Sequence, residues 1–171
     1  NINHNILRNF ISKIIKDERI VNLIMLFVDT VKGIGLFVGN VLSQLFGLIY
    51  LSSLDHFVKR FLKIRHYIRY VDDFVLVGLE KSEAHILKSK IENFLKDNLN
   101  LELSKFRIAK IKQGCNFVGF RTWKRVKFIR KHTLHNFSKA VKLQKEASII
   151  SILGHAKHSS SHKYLISKLG A

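Results

Sequence analysis

The stretch RYVDDFVLV, residues 69–77, is the most informative in the chain. Two adjacent carboxylates, Asp72 and Asp73, interrupt an apolar run rich in strand-forming residues, in a chain of formal net charge +18. Neighbouring side chains on a strand point to opposite faces, so the pair can act together only where the chain turns beside it. We therefore predict a hairpin with the pair near its tip and these apolar residues packed around it: Ile68, Tyr70, Phe74 and Leu76.

Two carboxylates this close together repel each other unless a cation neutralises them. Mg²⁺ or Mn²⁺ does so through oxygen ligands, so Asp72 and Asp73 are candidate metal ligands. Two such ions, about 3.5–4 Å apart, can activate an attacking hydroxyl and stabilise a leaving phosphate group. In a strongly basic protein the pair therefore favours phosphate chemistry. The alternative is an ordinary Asp-Asp turn, since aspartate is common in turns.

The composition indicates a folded protein that binds a polyanion. Of the 171 residues, 47% are hydrophobic, which argues against disorder. The chain has thirty Lys and Arg residues and only twelve Asp and Glu residues, an imbalance that attracts nucleic acid or an anionic membrane. The single cysteine, Cys115, excludes an internal disulfide framework and indicates a reducing, intracellular setting.

An uncharged segment at residues 33–54 is long enough to cross a bilayer. Within it, polar and small residues recur at helical spacing and form one stripe: Asn40, Ser43, Gln44 and Gly47. A buried helix with one polar working face explains this stripe better than a membrane span. We therefore expect no membrane partner.

The periodicity along the chain predicts an α+β protein. Helices are expected at residues 4–15, 17–31, 40–62 and 82–98, and a basic, mainly helical region from about residue 133. Strands are expected at 68–78, 101–111 and 115–130.

Four ordered motifs resemble one family. YVDD at 70–73 resembles the polymerase motif of reverse transcriptases, and VGNVLSQLFGLIYLSSLDHFVKR at 38–60 is similar to the template- and nucleotide-facing segment of bacterial retroelement enzymes. GCNFVGFRTW at 114–123 resembles their primer-grip hairpin, and SILGHAKHSSSHKYLISKL at 151–169 resembles their helical thumb. The order and separations agree, so the resemblance covers nearly the whole chain.

The resemblance implies a reverse-transcriptase palm at 1–122, a split βαβ-like antiparallel sheet backed by helices, and a basic helical thumb at 123–171. The implied activity is RNA-directed DNA polymerase: two Mg²⁺ (or Mn²⁺) ions support addition of dNTPs to a primer 3′ end on an RNA template. Val38-Gly39 followed by Ser43-Gln44 is similar to the enzymes of diversity-generating retroelements, which work with a small basic accessory protein. A cytoplasmic protein encoded by a bacterium or phage is implied. The alternatives are a group II intron- or retron-type enzyme, or a catalytically dead nucleic-acid-binding remnant.

The resemblance also implies residue roles. Asp72 and Asp73 would be the catalytic metal ligands, and Phe117 and Gly119 would form the primer grip. Residues expected at the nucleotide and template are Gly39, Asn40, Ser43, Gln44 and Lys105, although Lys105 also fits a solvated surface lysine. Basic residues expected on the nucleic-acid backbone are Lys59, Arg60, Arg65, Arg69, Lys124 and Arg125, which lie in strings that interleave charge with aromatic residues.

Two further expectations concern the family's first catalytic aspartate and a possible zinc site. The family's first catalytic aspartate and finger region would precede residue 1, so we expect the chain alone to show little or no polymerase activity. His155, His158 and His162, with His132 and His135, suggest a zinc site. No cysteine or acidic residue joins them, so packing or nucleic-acid contacts are favoured.

Overall fold

The computed structural model of the protein describes residues 2–37 and 39–169. Val38, which is part of the Val38-Gly39 pair on which the likeness to diversity-generating retroelement enzymes rests, lies outside the described residues. The chain divides into two compact units, Asn1–Ile108 and Ala109–Ala171. Helices and two small antiparallel sheets make it an α+β protein, as predicted.

The first unit contains four helices and one hairpin. Its elements are α1 (His4–Ile14), α2 (Glu18–Val28), α3 (Val41–His56), β1 (His66–Tyr70), β2 (Asp73–Val77) and α4 (Lys81–Leu99). The first three helices begin where the side chains of Asn3, Asp17 and Asn40 accept backbone N–H groups of the first turn. After α3 the helix widens into a π-helical turn, Phe57–Phe61.

One hydrophobic core holds the first unit together. Apart from Ile64, which follows the π-helical turn, its buried side chains recur at helical spacing: Leu7, Ile11, Val21, Met25, Val28, Phe46, Tyr50, Leu54, Val58, Leu87, Ile91, Leu95 and Leu99. Tyr50 is fully buried; its hydroxyl donates to the Leu99 carbonyl at 2.6 Å and accepts from the Asn3 N–H at 3.3 Å. Burial raises the pKa of Tyr50. These bonds let the core contain a hydroxyl without an unsatisfied polar group.

The second unit is a small sheet followed by three helices. Its elements are β3 (Cys115–Phe117), β4 (Phe120–Thr122), β5 (Lys127–Ile129), α5 (Lys131–Lys142), α6 (Glu146–Ala156) and α7 (His162–Ser167). The strands are antiparallel in the order β3-β4-β5. The helices pack around a smaller core of Ile129, Phe137, Ala156 and Leu165.

The structure corrects one expectation on organisation. Residues 101–111 form no strand: Leu101 and Leu103 pack against the core of the first unit, which explains the alternating pattern, but no described strand pairs with them. The two compact units divide between Ile108 and Ala109, whereas the palm and thumb that the resemblance implies divide between residues 122 and 123. Strand β4, before that position, pairs with β5, after it.

Helix α3 is less buried than predicted. Its inward stripe is Phe46, Tyr50 and Leu54, while other apolar side chains of the helix are exposed, among them Val41 and Leu45. The segment Val41–Phe61 is 21 residues long with a mean hydropathy of 1.3, long and apolar enough to cross a membrane by these criteria alone. Core helices of soluble proteins meet the same criteria, and in the described part of the chain no second helix does.

Candidate functional site

The predicted hairpin around the carboxylate pair is present. Strands β1 and β2 are antiparallel, with Tyr70 opposite Asp73 and His66 opposite Val77. Only Val71 and Asp72 remain to make the turn. Asp72 therefore lies on the turn and Asp73 opens the next strand, and both are exposed.

The turn is strained at Val71. Its φ is +54°, in a region that β-branched residues rarely adopt because the side chain crowds the backbone. Asp72 has no positive φ, so the pair has the φ signs of a type II′ turn, whose first position normally holds glycine. A valine there costs about 1–3 kcal/mol, a cost that persists only where the surroundings enforce the conformation.

The two faces of the hairpin differ, and one expectation fails here. Phe74 and Leu76 pack against the core as predicted, joined by Tyr67. Ile68 and Tyr70 do not: each is 58% exposed. They lie on the face opposite to Tyr67 because side chains alternate along β1, and the described residues leave that face open to solvent.

An ion pair anchors the hairpin to helix α3. Arg69 donates two hydrogen bonds to the carboxylate of Asp55, from Nε at 2.8 Å and from Nη2 at 2.5 Å. The hydroxyl of Tyr67 donates to the same carboxylate at 2.7 Å. The Nη1 of Arg69 also donates to the Val71 carbonyl at 2.6 Å. One guanidinium thus links helix α3 to the strained residue of the turn.

The pKa values of these groups follow from their contacts. Burial alone would raise the pKa of Asp55, but hydrogen bonds from Arg69 and Tyr67 outweigh it and the pKa is lowered. The hydrogen bond to Asp55 raises the pKa of Arg69. Burial and then the hydrogen bond to Asp55 raise the pKa of Tyr67. Asp55 and Arg69 are therefore charged and Tyr67 is neutral at pH 7.

The carboxylates of Asp72 and Asp73 make no hydrogen bond or ion pair with any residue that the structure describes. Mg²⁺ is commonly held by one or two protein carboxylates, with waters and substrate phosphates completing its octahedral shell. Two exposed, adjacent carboxylates with free oxygens fit that requirement. Across the described residues, no group of three or more His, Cys, Asp or Glu side chains is placed to hold a metal by itself.

Some of the residues expected at the nucleotide meet at a cleft of about 340 Å³ beside the start of α3. Asn40 and Ser43 line it, together with apolar side chains that include Phe27 and Phe37. The side chain of Asn40 already caps α3 by accepting the Leu42 N–H at 2.9 Å. Gln44, Asp72 and Asp73 are not among the described lining residues.

Other predicted nucleotide and primer residues are placed as follows. Gly39 has φ +91°, a conformation that favours glycine, and Lys105 is exposed on the irregular segment after α4. Phe117 and Gly119 belong to the β3–β4 hairpin, with Phe117 opposite Phe120. A Cβ at Gly119 would lie 3.0 Å from the ring of His155, which stacks on Phe120 with ring centres 4.5 Å apart. Packing therefore accounts for His155.

Two of the basic residues expected on nucleic acid are already engaged within the first unit. Arg69 is paired with Asp55 and its side chain is only 10% exposed, so the structure places it in an anchoring role. The Nζ of Lys59 donates to the carbonyls of Ile64 and Arg65 at 3.2 and 2.9 Å and closes the end of the helix. Arg60, Arg65, Lys124 and Arg125 are exposed.

Sequence reasoning missed Asp55 and Tyr67 as part of this site. A signal was present for Asp55: between residues 30 and 71 it is the only acidic residue, and it lies just ahead of a basic segment. An isolated carboxylate among cations is commonly paired. Nothing in the sequence indicated Tyr67, whose role depends on which face of β1 turns inward.

No protein-family model matches the chain, and no curated protein matches it. Any functional assignment therefore rests on the residues and their geometry.

Proposed function

We propose that the chain is part of an RNA-directed DNA polymerase, a reverse transcriptase of the diversity-generating retroelement type, with Asp72 and Asp73 as its catalytic carboxylates. The observation that carries the proposal is the strained two-residue turn of the hairpin. It holds two adjacent carboxylates in solvent, with free oxygens, in a protein of net charge +18. Strain of this kind is concentrated at functional sites.

The carboxylates would hold Mg²⁺ or Mn²⁺, and two such ions supply the charge stabilisation that nucleotidyl transfer needs. The chain's own contribution is to position these ligands. Arg69 fixes the Val71 carbonyl and is itself fixed by Asp55, so the backbone that carries Asp72 is held from a helix of the core. A ligand held this way loses little conformational entropy when it binds a cation.

The other assignments of the proposal concern nucleic acid and nucleotide. Gly39, Asn40, Ser43, Gln44 and Lys105 would face the dNTP and template RNA, and Phe117 and Gly119 would support the primer or cDNA end. A small basic accessory protein would be a partner, in the cytoplasm of a bacterium or of a phage-infected cell. The palm and thumb divisions belong to the proposal too.

The metal site is testable in the chain as it stands. Mn²⁺ added to ¹⁵N-labelled protein should broaden the amide signals of residues 70–75 selectively, because paramagnetic relaxation falls steeply with distance from the ion. Asp72→Asn and Asp73→Asn should each abolish the effect. Asp97→Asn is the matched control: this carboxylate is exposed on α4, and its loss should leave the broadening unchanged. Uniform broadening, or hairpin broadening that survives both hairpin variants, would contradict the proposal.

The polymerase activity is tested by primer extension. Primer extension with dNTPs on an RNA template should occur with the complete protein and Mg²⁺, and Asp72→Asn should reduce the rate at least about 10³-fold, as expected when a metal ligand of the reaction is lost. RNA binding by that variant should change less than about threefold. Retention of extension by Asp72→Asn would rule out the assigned role. Binding without any extension by the unmodified protein would identify it as a catalytically dead remnant.

A further inference from the structure

A second site lies in the second unit, on the surface where the β4–β5 turn meets the α6–α7 turn. Together they line an open pocket of about 520 Å³. Five of its lining residues are basic or become so on protonation: Lys124, Arg125, Lys127, Lys157 and His158. We call these five residues the basic pocket. From the sequence, Lys124 and Arg125 were expected on nucleic acid, and His158 was left between packing and nucleic-acid contacts. Their position beside Lys157, about thirty residues from Lys124 in the chain, is decided by the fold.

Hydrogen bonds hold the two walls of the basic pocket together. The Ser160 N–H donates to the Lys127 carbonyl at 2.9 Å. The Ile129 N–H donates to the buried Ser161 hydroxyl at 3.1 Å. Within the first wall, the Trp123 N–H donates to the Val126 carbonyl at 2.8 Å and closes the β4–β5 turn. The cations therefore project from a fixed frame rather than from a loose loop.

Among the described residues, no acidic side chain pairs with the charges of the basic pocket. Residues 109–171 contain fourteen Lys and Arg residues and a single acidic one, Glu146. All five ion pairs of the described chain lie in the first unit. Like charges held close together destabilise the fold, so an anion that neutralises them binds favourably. The pocket meets the main requirement of a polyanion site.

The shape and the other donors of the pocket indicate which polyanion. It is an open pocket, and its lining adds the hydroxyl-bearing side chains of Thr122, Ser159 and Ser160. Trp123 lines the same pocket beside the cations, with the Arg121 guanidinium 5.2 Å from the centre of its ring. Lys and Arg with hydroxyl donors are the usual contacts to phosphate oxygens, and an adjacent aromatic ring suits a base or sugar.

We propose that the basic pocket binds the phosphodiester backbone of nucleic acid, through several successive phosphates and without reading sequence. The site is separate from Asp72 and Asp73, and the proposal stands whether or not the chain belongs to a polymerase. Lys127 forms the floor beside Phe120, with its Nζ 5.0 Å from the ring centre, while Lys124, Arg125 and Lys157 are exposed.

The test is fluorescence anisotropy of a labelled 20-nucleotide RNA with the whole chain, in EDTA so that no divalent ion bridges the hairpin to RNA. The pocket variant carries Lys124→Gln, Arg125→Gln and Lys157→Gln. The matched control carries Lys139→Gln, Lys142→Gln and Lys145→Gln, three exposed lysines of the same unit at which the net charge falls equally. Circular dichroism confirms that both variants fold.

The pocket variant should bind at least tenfold more weakly, while the control should change less than threefold. The slope of log affinity against log salt should fall by about 2 units for the pocket variant, since each lost phosphate contact on a single strand removes about 0.7. Equal losses in both variants would overturn the proposal in favour of diffuse attraction. So would unchanged RNA binding by the pocket variant, or a loss seen only for vesicles containing phosphatidylserine, which would identify a membrane surface instead.

Discussion

The protein contains two tight hairpins that differ by little in sequence and greatly in surroundings. Tyr70-Val71-Asp72-Asp73 closes the first and Phe117-Val118-Gly119-Phe120 closes the second. Both place a valine at the first turn position with positive φ, +54° at Val71 and +45° at Val118. The second position is Asp72 in one, without positive φ, and Gly119 in the other, at φ +80°.

The hairpins are held in opposite ways. The first is anchored through its strand, because Arg69 and Tyr67 both donate to Asp55, and its tip is left in solvent. The second is covered at its tip, where the ring of His155 lies over Gly119. A turn that carries exposed carboxylates and is anchored through its strand is suited to binding a cation, whereas the second turn is held by the side chain that packs against it. Four predictions test this difference, from the largest expected effect to the smallest.

Asp55→Asn should weaken the first hairpin most. The change keeps the shape but leaves Arg69, whose side chain is 10% exposed, without a counter-charge. Charge-assisted hydrogen bonds are each worth about 1.5–3 kcal/mol, so we expect the β1–β2 amides to lose about 2 kcal/mol of protection in hydrogen exchange. Glu18→Gln is the control, because its ion pair with Arg8 is exposed and worth well under 1 kcal/mol. Similar losses in both variants would disprove the anchoring role of Asp55.

The same anchor predicts a pH dependence that is specific to the first hairpin. Asp55 has a lowered pKa, so its stabilisation is complete above the ordinary value of about 3.9 and is lost as the pH falls through the folded pKa. Tyr67 has a raised pKa, so its stabilisation is complete below about 10 and is lost as the pH rises through the folded pKa. Amide hydrogen exchange, corrected for intrinsic rates, should show that protection of the first hairpin falls both at low pH (the acid limb) and at high pH (the alkaline limb). The acid limb should vanish in Asp55→Asn, and its persistence there would assign it to another group.

Gly119→Ala should weaken the second hairpin by about 1–2 kcal/mol. The cost arises from φ +80° and from a Cβ that would lie 3.0 Å from His155. Gly47→Ala is the control: it lies within α3 with nothing within 4 Å of the added Cβ, and alanine should stabilise the helix by about 0.5–1 kcal/mol. Urea unfolding measures both. A neutral Gly119→Ala would mean that His155 does not hold this turn in place.

Val71→Gly and Val118→Gly should have the smallest effects and the clearest contrast. Glycine accepts the positive φ, so each change should raise stability by at most about 1 kcal/mol, after its greater unfolded-state entropy is counted. At position 71 the looser turn should also weaken Mn²⁺ binding a few-fold, because the carboxylates are then less firmly held. At position 118 Mn²⁺ binding should not change. Equal Mn²⁺ affinity in all three proteins would show that the strain at Val71 has no part in presenting the carboxylates.

Local patterns were sufficient for much of this protein. Helices were predicted from 3.6-residue periodicity, and the α+β class follows from their alternation with short apolar runs. The hairpin around Asp72 was predictable because two like charges are not both buried in one strand. The excess of basic residues was a matter of composition. All of these features depend on neighbours within a few residues, which a sequence displays directly.

Tertiary structure decided the rest, because it depends on partners far apart in the chain. Leu101 and Leu103 have the alternation of a strand but pack against a helical core, and no strand in the described part of the chain pairs with them. The face of β1 that turns inward was set by the reach of Arg69 to Asp55, fourteen residues away, which leaves Ile68 and Tyr70 in solvent. The basic pocket appears only when the turn that holds Lys157 meets β5. The sequence alone shows the excess of basic residues. Folding decides that Arg69 is paired with Asp55, whereas Lys124, Arg125 and Lys157 are exposed to solvent.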